Sequence, residues 1–224
     1  MGGRAARRAV WHPRRVIRLY RAPWSTNVQR VTMALAHKGL AYEEIVISYD
    51  DRAPVLEVSA QPLVPVLVID GEVIADSMTI VARLEELVPD PPLFPSAPAE
   101  RALVEIFVEW FDRVWKVEPN AIEAGGPVEE LAAVMDRRLD RFEGLLAGPD
   151  FLFGPFSAAD CCAYPFLKYA AGRDPDDDEP FHRILDRHQT VAGRPRLAAW
   201  IERVSRQVVD EPSPSSAARR ASPS

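Results

Sequence analysis

Polar and apolar positions trade places along Val16-Ile17-Arg18-Leu19-Tyr20, as expected of a half-buried strand. The period then changes. Val28, Val31, Ala34 and Leu35 recur at helical spacing until Lys38-Gly39 ends the run. A second β-rich run spans Tyr42 to Ser48, and the helix between the two strands predicts that they lie parallel. After a polar loop from Asp50 to Pro54 and a short helical patch come Val64-Pro65-Val66-Leu67-Val68-Ile69, Asp70-Gly71 and Glu72-Val73-Ile74. Asp-Gly between two such runs is the chemistry of a type I′ turn, so an antiparallel hairpin is predicted. Met78, Val81, Ala82, Leu84 and Leu87 add a closing helix.

Residues 16–90 therefore read as βαβ, a short helix, then ββα, an α/β unit with helices on both faces of a small mixed sheet. A proline-rich linker at 91–98, containing Phe94-Pro95-Ser96-Ala97-Pro98, cannot sustain a helix. From 99 to 208 helical spacing dominates, as in Ile106, Trp110, Val114 and Val117, and an all-α domain is expected. Within it, Phe156-Ser157-Ala158-Ala159-Asp160 has the form of a capping box, with Ser157 at the cap and Asp160 answering it. Residues 1–15 carry Arg4, Arg7, Arg8, Arg14 and Arg15 without an acid, and 209–224 are poor in apolar residues; both are expected to be disordered extensions.

Composition narrows the function. The chain has 224 residues, 47% hydrophobic, with 27 basic and 33 acidic side chains, a net charge of −6. That charge disfavours nucleic acid or an anionic membrane as the main partner and leaves small molecules. No apolar run approaches the roughly 18 to 20 residues of a membrane span, and no signal-peptide core is evident, so a soluble cytoplasmic protein is expected. The adjacent Cys161 and Cys162 form neither a disulfide framework nor a metal motif; they read as small core residues in a reducing compartment, and no metal is expected.

Candidate chemistry gathers at the breaks between elements. Proline at the start of the third strand removes a ladder hydrogen bond; if Val64-Pro65 is cis, the N–H and C=O of Val64 can face outward to pair with an extended peptide. At Ile74-Ala75-Asp76-Ser77-Met78 a strand passes into a helix whose first N–H groups lack intrahelical partners, a setting that serves equally for a cap and for an anion. In Ala22-Pro23-Trp24-Ser25-Thr26-Asn27, Ser25 stands where a helix cap belongs.

Taken together, the βαβ unit, the Val64-Pro65 step, the Asp-Gly hairpin, Asp76-Ser77 and the Ser157–Asp160 box resemble the soluble glutathione transferases of serine type, from about Val16 to Val208. The resemblance implies a thioredoxin-like first domain and glutathione as cosubstrate. Ser25 would be the catalytic hydroxyl, Val64 and Pro65 would hold the cysteinyl part, and Asp76 and Ser77 the γ-glutamyl end. Where many relatives carry Lys or Gln before Val-Pro this chain has Leu63, leaving Gln61 or Arg52 for the glycyl carboxylate. A second-substrate pocket for an apolar electrophile would draw on Trp24, Trp110 and Arg113, with Phe111 and Trp115 on the same helix. A homodimer is also implied. Two rival readings are a thiol-dependent cis-trans isomerase of the maleyl-acid type, with Arg101 and Arg113 as weak support, and a non-catalytic ligand-binding or scaffold protein of the same fold.

Overall fold

The computed structural model describes residues 16–209; the basic extension 1–15 and residues 210–224 of the tail lie outside the described residues. The first half builds β1 (Ile17–Arg21), α1 (Thr26–His37), β2 (Glu43–Val46), α2 (Ala53–Ser59), β3 (Val66–Ile69), β4 (Glu72–Ala75) and α3 (Ser77–Leu87). The sheet order is β2-β1-β3-β4, with β1 and β2 parallel and the remaining pairs antiparallel. Asp70 and Gly71 both take positive φ, 50° and 92°, as the tight hairpin requires.

Strand alternation decides which helix covers which face. Ile17, Leu19, Leu67 and Ile69 point into the main core with α1 and α3, whereas Val66, Ile47 and Val55 make a smaller cluster beneath α2 on the other face. The linker has no helix before Pro98, where α4 begins, yet it is packed: Leu93 and Phe94 are buried, their N–H groups donate to Glu85, and Leu93 accepts from Ala158 N–H at 2.8 Å.

The second half is helical: α4 (Pro98–Trp110), α5 (Val117–Glu123), α6 (Val128–Leu145), α7 (Ala158–Leu167), α8 (Pro180–His188) and α9 (Pro195–Val209). Every residue of α7 is buried, and the helix packs on α1 across the two halves. The Ser157–Asp160 capping box is present at its start.

One expectation is corrected. The first helix of this half gives way at Phe111–Trp115 to a π-helical turn before α5, and its core face is Val104, Phe107, Phe111 and Trp115. Ile106, Val114 and Val117, read as that face, are exposed. Two apolar stripes compete on this helix, and the aromatic one wins because it removes more area from water.

Candidate functional site

The loop from β1 into α1 is held from two sides. Tyr49 donates its hydroxyl to Pro23 O at 2.7 Å, and the Arg52 guanidinium lies 4.8 Å from the centre of the Tyr49 ring. Trp24 follows in the left-handed region at φ 60°, uncommon for a bulky residue and a mark of constraint from its surroundings. Ser25 is the N-cap of α1. Its Oγ accepts from Val28 N–H at 3.3 Å, and its carbonyl accepts from Gln29 N–H at 3.0 Å. A hydroxyl has two acceptor lone pairs and one hydrogen, so capping leaves that hydrogen free to donate. Cap and reactive-group donor are compatible roles.

The Val64-Pro65 bond is cis, and the N–H and C=O of Val64 have no hydrogen-bond partner among the described residues. Pro65 is buried and Val64 half-buried. Asp76 sits at φ 72°, ψ 128°, and its Oδ1 caps α3 by accepting from Met78 N–H at 3.1 Å and Thr79 N–H at 2.9 Å. Ser77 is buried, and its hydroxyl accepts from Arg30 Nη1 at 3.3 Å; its own N–H has no backbone partner. The ligand groups open at this step are thus the Ser77 N–H and the outer oxygen of Asp76.

Gln61 departs from expectation. Its Nε2 donates to Ser59 Oγ at 3.1 Å and to Leu63 O at 2.9 Å, while its Oε1 accepts from Leu63 N–H at 2.7 Å. The amide is spent on its own loop and has no free donor for a ligand carboxylate. Arg52 Nη1 lacks a hydrogen-bond partner among the described residues, though it is buried rather than open to solvent.

The second-substrate residues also separate. Phe111 and Trp115 are stacked in the core at 4.5 Å, Trp110 is half-buried beside Phe107 and Phe142, and Arg113 is at the surface, 77% exposed, paired with Glu109. A cleft of about 430 Å³ lies elsewhere, lined by Trp24, Tyr164, Tyr169 and Ile201, with Lys168 among its polar groups. Trp24 is the one expected pocket residue that lines this cleft.

The sequence reading missed the charged network beneath α1. Arg30 is fully buried and donates to Cys162 O at 3.0 Å, approaches Asp112 at 2.9 Å, and lies 4.8 Å from the Phe166 ring centre. Lys116 pairs with Asp112 at 2.7 Å and donates to Asn27 Oδ1 at 3.3 Å. Burial by itself would raise the Asp112 pKa, but Arg30 and then Lys116 outweigh it and hold the carboxyl below its usual range. Burial, reinforced by Arg30, lowers that of Lys116. Lys168 donates to Gln29 Oε1 at 2.8 Å. Two ammonium groups from the helical half therefore engage Asn27 and Gln29 in the first turns of α1. A charged Arg30 on the face that also carries Thr26 and Met33 was the available signal.

Comparison with known proteins agrees with this architecture in both halves. The family profile "Glutathione S-transferase, N-terminal domain" matches residues 19–92, and "Glutathione S-transferase, C-terminal domain" matches 109–203. The chain belongs to the soluble glutathione S-transferase superfamily. It is similar to glutathione S-transferase L1 of Arabidopsis thaliana, 28% identical over 85% of this chain and 78% of that protein. FtsZ-localized protein A of Caulobacter vibrioides is 31% identical over 66% of this chain and 75% of its own. A rice glutathione transferase solved in complex with glutathione superposes with a TM-score of 0.74 at 24% identity, covering 92% of this chain and 94% of that one. Among the described residues no cluster of His, Cys, Asp and Glu is arranged to hold a metal ion, and no helix is long and apolar enough to cross a membrane.

Proposed function

We propose that the chain is a glutathione S-transferase of serine type, in which Ser25 holds a bound thiol as thiolate for attack on an electrophilic small molecule. The observation that carries this is the Ser25 hydroxyl, which caps α1 through its oxygen and keeps its hydrogen, at the N-terminal end of that helix. The thiol proton goes to solvent, a sulfur lone pair forms the C–S bond, and the leaving group departs with its electrons. A thiol of pKa about 8.5 is only a few per cent ionised at neutral pH. A charge-assisted hydrogen bond of about 1.5–3 kcal/mol, plus about 0.3–1 from the helix end, lowers that pKa by about two units. The Val64 backbone pairs with the cysteinyl part, Asp76 and Ser77 N–H take the γ-glutamyl end, and Arg52, in place of Gln61, faces the glycyl carboxylate.

Calorimetric titration with glutathione, together with the thiolate absorbance of the complex at neutral pH, tests this. Glutathione is expected to bind with a thiolate band. Ser25→Ala should keep binding within about threefold, lose the band, and reduce conjugation of 1-chloro-2,4-dinitrobenzene by about 10- to 100-fold, the equivalent of that one hydrogen bond. A variant that conjugates as fast as the parent would overturn the assignment.

A carrier or scaffold of the same fold is the second reading, favoured by the spent Gln61 amide and the 71% exposed Leu63. FtsZ-localized protein A is named for an assembly rather than a reaction. A protein that binds glutathione without a thiolate band fits this reading. Under either, the exposed Leu103, Ile106, Val114 and Val117 are read as covered by a second copy in a homodimer, and the buried free thiols Cys161 and Cys162 suit a cytoplasmic setting. Light scattering at twice the 25.0 kDa chain mass is expected.

A further inference from the structure

The turn between β1 and α1 has one pivot. Ala22 is fully buried and Arg21 O accepts from Ile47 N–H at 2.7 Å, so the chain enters the turn fixed, and Ser25, as the cap of α1, leaves it fixed. Between them Pro23 has its φ locked by the pyrrolidine ring. The Pro23 carbonyl and the Trp24 N–H belong to one planar peptide unit, so whatever holds Pro23 O sets the ψ of Pro23 and the φ of Trp24 together. Among the described residues that oxygen has one partner, the Tyr49 hydroxyl at 2.7 Å. The φ of 60° at Trp24 needs such a hold, because a bulky residue is strained in the left-handed region and this side chain is 38% exposed rather than locked in the core.

Tyr49 is itself placed by both halves. Its ring carries the Arg52 guanidinium at 4.8 Å, and its hydroxyl faces a second acceptor, the carboxylate of Glu179. Glu179 stands at the N-cap of α8, and its N–H donates to Asp177, which is buried, accepts from Tyr169 OH and contacts His182. Glu179, Arg52 and, more weakly, Asp177 are the charged groups that act on the Tyr49 hydroxyl. Burial first, and Glu179 next, push that phenol up to about 12, so it keeps its hydrogen across the neutral range. A hydroxyl has a single hydrogen, which Pro23 O and Glu179 cannot both hold at full strength. The helical half therefore competes for the bond that holds the turn before Ser25.

We propose that Tyr49 is a positioning residue for Ser25: by holding Pro23 O it fixes the turn that presents the Ser25 hydroxyl, and so sets how readily a thiol bound there ionises. Glu179 draws against that hold from the helical half. A left-handed backbone at one residue and a single hydrogen bond are of the same order in free energy, so loss of the bond is enough to redistribute the turn. The role in ionisation rests on the thiolate reading of Ser25; the hold on the turn does not.

Tyr49→Phe keeps the ring on Arg52 and removes only the hydroxyl, so its urea midpoint should match the parent. The N–H groups of Val28 and Gln29, which donate to Ser25 Oγ and Ser25 O, report the turn by amide hydrogen exchange. Their protection should fall about 3- to 10-fold in Tyr49→Phe, with α7 unchanged. In the glutathione complex the thiolate absorbance should titrate about 0.5 to 1 unit higher than in the parent. Conjugation of 1-chloro-2,4-dinitrobenzene should shift to higher pH by the same amount and still rise to the parental plateau, which a general loss of packing would lower. Glu179→Gln, which removes the rival charge, should move the thiol titration in the opposite direction. Parental exchange at Val28 and Gln29 in Tyr49→Phe overturns the hold on the turn, and altered exchange with an unchanged thiol titration overturns the positioning role. A parent that binds glutathione without a thiolate band fails the Ser25 reading and the ionisation role with it, while exchange alone still decides the hold.

Discussion

Asp76 combines two demands in one side chain. Its backbone takes a left-handed φ of 72°, tolerated better by Asp and Asn than by other non-glycine residues, and its Oδ1 caps α3. The remaining carboxylate charge is not needed for the cap; on the proposed function it faces the ammonium of the γ-glutamyl group. Asp76→Asn keeps the acceptor and the backbone preference, so its urea midpoint should match the parent, while the dissociation constant for glutathione rises about tenfold. Asp76→Ala loses the cap as well and should cost about 2 kcal/mol, roughly half from the cap and half from the left-handed backbone. An Asn variant with parental affinity would show that the charge plays no part in thiol binding.

Single elements show what could be read from the chain and what could not. Strand periods, the Asp70-Gly71 turn and the Ser157–Asp160 box were legible because each is fixed by neighbours in sequence. Ser25 as a cap was legible for the same reason. The burial of Val104, Phe107, Phe111 and Trp115 in preference to Ile106 and Val114 was not, since both stripes have helical spacing and the choice depends on what packs against them. Gln61's closure on Leu63 and Lys168's reach to Gln29 likewise arise only from side-chain geometry across loops and domains.

The box at the start of α7 carries a further prediction. Asp160 Oδ1 accepts from Trp200 Nε1 at 2.8 Å and Leu152 N–H at 3.0 Å, and Oδ2 from Ser157 N–H at 2.9 Å. Burial pushes its carboxyl up to about 6 against the pull of those hydrogen bonds. Asp160→Ala strands three buried donors and should destabilise the fold by at least about 3 kcal/mol in urea melts. Because the folded pKa lies above the unfolded one, the folded state takes up the proton more readily. Asp160's contribution therefore becomes less favourable as pH climbs from the ordinary carboxylate range to about 6.

For the whole molecule, the two halves are joined by one continuous apolar core and, inside it, by Arg30. The guanidinium reaches Ser77 in α3, Cys162 in α7 and Asp112 in the π-helical turn, so α1's position is set from both domains at once. Removing a buried charge from such a network costs about 3–5 kcal/mol, because its partners are left desolvated. Arg30→Ala should therefore lower the unfolding free energy by about that amount in one cooperative transition followed by tryptophan fluorescence and circular dichroism. The acid limb of the stability curve tests the same network from its other end. The Asp112 pKa is held below its usual value, so its contribution is complete above the unfolded carboxylate pKa and is lost as pH falls below that value through the depressed folded one. In Asp112→Asn this component is absent: the variant should be less stable than the parent at pH 7, and the gap should narrow at the acid end. A gap that stays constant with pH would mean that Asp112 serves the interface by shape alone, and that the charge on Arg30 is balanced elsewhere.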